Sequence, residues 1–180
     1  MVKHQLGVKH LKLSIDFPTI YDIMYMKVRG RKMTKLQAIR WFCNYVCEDK
    51  IIVSRDKFAN HNCAIDVTEK HPRIKLFKNL DYKIEPTDIQ FRNDFINRYP
   101  PARGFSHVTL ELLHECGHWA TRSVINLFEY GKMVDKTHGS MNAYMAIPYE
   151  HLATDWAICW LCSPHNRKIA KQFEKDFFGY

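Results

Sequence analysis

The sequence predicts an α+β domain, and three observations predict it. Residues 50–86 hold short β-branched or alternating segments bounded by turn residues. On both sides of them, apolar residues recur at helical spacing behind Ser or Thr caps. Strands and helices thus fall into separate runs instead of alternating, which is the α+β arrangement. The 180 residues suffice for one domain with a real core. With 46% hydrophobic and 26% charged residues, the chain reads as globular, not disordered. Residues 1–49 read as an N-terminal helical part, 50–162 as the core and 163–180 as a C-terminal helix.

Taken in order, Pro18 opens a short helix carrying Ile20, Ile23 and Met24, and RGRKM, 29–33, is a loop. Thr34 and Gln37 have capping-box spacing, followed by a stripe of Leu36, Ile39, Phe42, Cys43, Val46 and Cys47. KIIVSR, CAIDV and RIKLF read as strands, and LDYKIEP, 80–86, as one more that Pro86 ends. Thr87 with Gln90 caps a helix bearing Ile89, Phe91 and Phe95, closed by Pro100, Pro101 and Gly104. Ser106 caps the next helix, which runs through Val108, Leu112, Leu113, Cys116 and Trp119. The glycines and polar residues of 131–142 predict a loop. Pro148 then sits in the first turn of a helix reaching Leu161, Ser163-Pro164 breaks it, and a last helix presents Ile169, Phe173 and Phe177.

Composition narrows the function classes. The chain contains no apolar run of 18 or more residues, so the expectation is no membrane span, and MVKHQLGVKHLKL is basic without a secretory apolar segment, which predicts a cytoplasmic protein. Six cysteines suit a reducing compartment, with Cys43, Cys47, Cys159 and Cys162 read as small buried apolar residues. CWLC, 159–162, has no second CxxC to complete a zinc knuckle. The net charge of +8 admits a nucleic-acid partner, although the basic residues are spread along the chain and read first as a solvated surface.

One stretch carries chemistry. His114-Glu115-Cys116-Gly117-His118 matches H-E-x-x-H inside the helix capped by Ser106. Side chains four apart share a helix face one turn apart, so the two imidazoles can hold one Zn²⁺. Glu115 projects about 100° from His114, where its carboxylate can take a proton from a zinc-activated water. Gly117 costs about 1 kcal/mol relative to alanine inside a helix, which predicts a close backbone neighbour as compensation.

A catalytic zinc needs a third protein ligand and one open position. PYEHLATDWA offers Glu150, His151 and Asp155 on the helix that starts at Pro148, and spacing does not choose between Glu150 and His151. Tyr144, Tyr149, His138 and His151 are candidates for a second donor to a developing oxyanion.

HECGHW followed by EHLATDWA resembles the zincin-like metallopeptidases of the ImmA/IrrE and ArdC antirestriction type. In ImmA/IrrE-like proteins the motif is HExGH, then an E-x-x-A-x-x-aromatic-A helix, matched here by Glu150, Ala153, Trp156 and Ala157. DYKIEP, 81–86, and Trp119 are similar to the ArdC-type pattern. The resemblance covers roughly 50–162. It implies a zincin-like core, a small sheet packed on several helices including the HExxH helix. It also implies Glu150 as third zinc ligand beside His114 and His118, Asp155 as a group orienting one histidine, and Glu115 as catalytic base. The implied function is hydrolysis of peptide bonds in an intracellular protein substrate; the strand at 81–86 is the candidate sheet edge along which that substrate adds as a further strand through backbone hydrogen bonds. The alternative is an antirestriction or nucleic-acid-binding protein that keeps the zinc site. No single-stranded-DNA-binding or helix-turn-helix domain is legible in 1–49.

Overall fold

The computed structural model describes residues 33–49, 51–55, 63–67, 73–76 and 86–180. The readings made for the Pro18 helix, the RGRK loop and the strand before Pro86 lie outside them.

Helix α1, Lys35–Cys47, begins where expected. Thr34 Oγ1 accepts the Gln37 N–H at 3.3 Å, and Gln37 Oε1 accepts the Thr34 N–H at 2.9 Å, which closes the capping box. The helix buries Ile39, Phe42, Cys43 and Val46, and Asn44 Oδ1 takes the Ile51 N–H at 2.7 Å to fix the turn into the sheet. Three strands follow: β1, Ile52–Arg55; β2, Cys63–Asp66; and β3, Arg73–Leu76. β3 lies in the middle, parallel to β1 and antiparallel to β2, with Ile65 opposite Ile74. Val53, Cys63 and Ile74 are buried, so one face of this small sheet joins the core.

Helix α2, Pro86–Arg98, already includes Pro86 and Thr87. Pro86 therefore opens a helix, where a missing N–H costs nothing, and Thr87 is not its cap. Asp88, Phe91, Phe95 and Ile96 form the buried side, while Ile89, expected among them, is 51% exposed in the first turn of the helix. After a 3₁₀ turn at Pro100–Gly104, Ser106 Oγ accepts the Thr109 N–H at 3.3 Å and starts α3, His107–Thr121. α3 is the central element. It is buried nearly all round, touching α1, α2, β2 and the two long C-terminal helices.

The segment 131–142, expected to be a loop, is mostly helical. Asn126 Oδ1 accepts the N–H groups of Phe128 and Glu129 and starts α4, Leu127–Asp135; Ser140 starts the short α5, Met141–Met145. No residue of either helix is fully buried, so the polar composition that suggested a loop belongs to helices at the surface. α6, Pro148–Cys162, buries Ala153, Ala157 and Leu161 at four-residue spacing. Cys159 and Cys162 fall off that stripe and are exposed free thiols, contrary to the expectation of burial. α7, Pro164–Phe178, is capped by Ser163 and ends at Gly179, whose φ of 80° requires the left-handed region that glycine tolerates.

Two contacts set the position of α3. A Cβ on Gly117 would lie 2.3 Å from the carbonyl oxygen of Ala153, so α6 crosses α3 backbone against backbone. From α7, Glu174 reaches the other end of α3: Oε1 accepts the Ser106 N–H at 2.5 Å and the Thr109 hydroxyl at 2.9 Å, and Oε2 accepts from Lys171 at 2.7 Å. A buried carboxylate at a helix N-terminus meets both the unpaired amides and the positive end of the dipole. Phe42 of α1 and Phe173 of α7 stack with centroids 4.4 Å apart and close the core.

Candidate metal centre

The Gly117–Ala153 crossing decides which side chains of α3 and α6 meet. His114 and His118 lie one turn apart on α3, with ring centroids 4.6 Å apart. Glu150 sits in the first turn of α6, three residues before the crossing. Its Oε2 lies 2.9 Å from His114 Nε2 and 3.3 Å from His118 Nε2, and the carboxylate is 0% exposed. Among the described residues, His114, His118 and Glu150 form the one group of three that can hold a metal ion. Ligand atoms arranged tetrahedrally about 2.0 Å from one ion lie about 3.3 Å from each other, and the observed separations are close to that. Two imidazole nitrogens and a carboxylate oxygen are also a donor set that zinc accepts.

The surroundings hold the donors in place. Thr154, one turn beyond Glu150 on α6 and fully buried, has Oγ1 3.0 Å from His114 Nδ1. Anchoring Nδ1 on Thr154 fixes the ring with Nε2 facing the centre. Phe91 packs edge-on against the His114 ring at 5.2 Å. Burial pushes the Glu150 carboxyl upward, but the hydrogen bonds and charges of His114 and His118 outweigh it and hold the group well below the ordinary glutamate range. At His118 burial disfavours the cation, yet the bond to Glu150 and the charges of Glu115 and Glu150 win, and its pKa is raised.

Glu115 lies beside the triad and lines the same cleft. Its Oε2 accepts the backbone N–H of Ile65 at 2.8 Å, which ties α3 to β2, one of the two outer strands of the described sheet. Burial raises its pKa, offset in part by His118 and His114. A carboxyl so raised is a stronger proton acceptor, when ionised, than an ordinary glutamate.

The cleft over these groups has a volume of about 720 Å³. β2 forms one wall, and Ile125, Leu127, Tyr130 and Val134 form another. Of the candidate oxyanion donors, Tyr144, Tyr149 and His138 line it, whereas His151 is exposed to solvent outside it. Asp155, expected to orient a histidine, is turned away: it is 60% exposed and pairs with Arg98 of α2. Its place is taken by Thr154, which stands one residue earlier and faces inward. The other group that the sequence reading missed is Tyr130, whose hydroxyl donates to Glu150 Oε1 at 2.6 Å.

Fold and site together define an α+β protein with a buried His–His–carboxylate group able to hold a metal ion at the foot of a cleft. No family model, curated protein or solved structure matches the chain.

Proposed function

We propose that this chain is a zincin-like, zinc-dependent metallopeptidase that hydrolyses peptide bonds in a protein substrate. The observation that carries the reading is the meeting of His114 Nε2, His118 Nε2 and Glu150 Oε2 beside the Glu115 carboxylate. Zinc bound there supplies Lewis acidity and makes an attacking water acidic at neutral pH. Glu115 accepts that water's proton on its carboxylate and delivers it to the departing amine. Thr154 keeps His114 oriented, and burial of Glu150 keeps solvent from competing for its oxygens. A substrate segment lies along β2, whose residues Cys63, Ala64 and Ile65 face the cleft, and pairs with it as an added strand.

The acidic lining favours a peptide over a nucleic acid as occupant. Among the described residues, Asp88, Glu111, Glu115 and Asp135 contribute to the cleft and none of those that line it is Lys or Arg, so this lining disfavours a phosphate backbone despite the overall charge of +8.

Glu115→Gln tests the reading. Cleavage of a casein-type substrate by the zinc-loaded protein is expected to fall by about 10²–10⁴-fold, with zinc content and thermal midpoint retained. Full activity in Glu115→Gln, or wild-type protein that takes up no zinc, ends the peptidase reading.

A further inference from the structure

Glu150 has a second carboxylate oxygen, and the way it is satisfied is informative. Oε2 faces both imidazoles, while Oε1 accepts a 2.6 Å hydrogen bond from Tyr130. Tyr130 belongs to α4, not to either helix that supplies the metal-binding group. Its hydroxyl lies 3.2 Å from that of Tyr144 on α5, and its ring packs 5.9 Å from that of Tyr149 in the first turn of α6. Burial and the neighbouring Glu150 charge raise the Tyr130 pKa, so the phenol remains a donor.

α4 itself is held weakly. None of its residues is buried, and Leu127 and Phe128 are 47% and 70% exposed. Among the described residues, three polar ties fix it over the cleft: the Tyr130–Glu150 bond, the Tyr130–Tyr144 hydroxyl contact at 3.2 Å, and the Asn126 N–H donated to the Tyr149 hydroxyl at 3.3 Å. Yet Leu127, Tyr130 and Val134 of this helix line the cleft together with β2.

We propose that Tyr130 is a positioning residue for Glu150 and, by the same bond, the latch that holds α4 over the cleft. Holding Oε1 leaves Oε2 alone to face the histidines, so the carboxylate offers one oxygen instead of two to an ion. Displacing α4 removes the latch, exposes the carboxylate and widens the cleft, so ion exchange and substrate entry share one movement. The inference rests on the metal-site reading given above.

Tyr130→Phe deletes only the hydroxyl and serves as the test, with Tyr144→Phe as the control that spares the contact to Glu150. Zinc affinity is measured by competition with a chelator, the visible absorption of the cobalt-loaded protein reports coordination, and hydrogen exchange of residues 127–135 is followed without metal. Tyr130→Phe is expected to bind zinc about 10–100-fold more weakly and to show a weaker cobalt spectrum, because a released carboxylate raises the coordination number. Exchange in α4 is expected to quicken while that in α3 stays slow. Tyr144→Phe is expected to bind zinc like wild type. Equal affinity in wild type and Tyr130→Phe overturns the positioning role and leaves the metal site standing. Equal loss in Tyr144→Phe overturns it too, since a general disturbance then accounts for the effect. Unchanged exchange in α4 overturns the latch. Wild-type protein that binds neither ion overturns the metal-site reading and this inference with it.

Discussion

His118 illustrates how a single residue sets the conditions under which the centre can work. Its pKa is raised, so a proton competes with a metal ion there at a higher pH than at a free imidazole. The sign follows directly: acidification favours the proton and weakens binding. Zinc affinity is expected to start falling above pH 6.5, by roughly tenfold per pH unit for one displaced proton, in chelator competition between about pH 8 and pH 5.5. An affinity that holds constant down to pH 6 would contradict the raised value. At this scale, His114, His118 and Glu115 are legible in the sequence because a four-residue spacing is a local property. Thr154 stands within the same stretch as Glu150, but nothing in its spacing separates it from Asp155; only the direction of α6 turns one inward and the other toward Arg98. Tyr130 is not legible, because its partner comes from a different helix.

Between elements, the crossing of α3 and α6 matters most, and Gly117 sets its distance. Alanine there gains about 1 kcal/mol of helix propensity, but its Cβ would lie 2.3 Å from a backbone carbonyl that has no rotamer to move. The clash wins. Gly117→Ala is expected to lower stability by about 1–3 kcal/mol in urea unfolding and to weaken zinc binding, as α6 and Glu150 are pushed outward. A variant more stable than wild type would mean the helices do not touch. The glycine announces a close neighbour in the sequence, but only the fold identifies it as α6. Likewise α4 is concealed, because a surface helix with no buried residue shares its composition with a loop.

At the scale of the whole molecule, burial decides which charged contacts hold the fold. Glu174 is 3% exposed and satisfies the first turn of α3, whereas Asp155 makes its pair with Arg98 in solvent. Glu174→Ala deprives the part-buried Ser106 N–H and the buried Thr109 hydroxyl of their carboxylate acceptor and is expected to cost about 1–3 kcal/mol, against less than about 1 kcal/mol for Asp155→Ala, both read from chemical denaturation. Similar costs for the two would contradict this account. The α+β architecture is legible from the separation of strand and helix patterns. The Glu174 clamp is not, since it joins distant positions through a residue that reads as an ordinary polar face of α7. The clamp and the Phe42–Phe173 stack both draw on the last helix. During synthesis, then, α1 and the histidine-bearing helix emerge from the ribosome long before the partner that secures them. The nascent chain must carry unmated aromatic surface until α7 follows, a period in which chaperones and proteases have access to it.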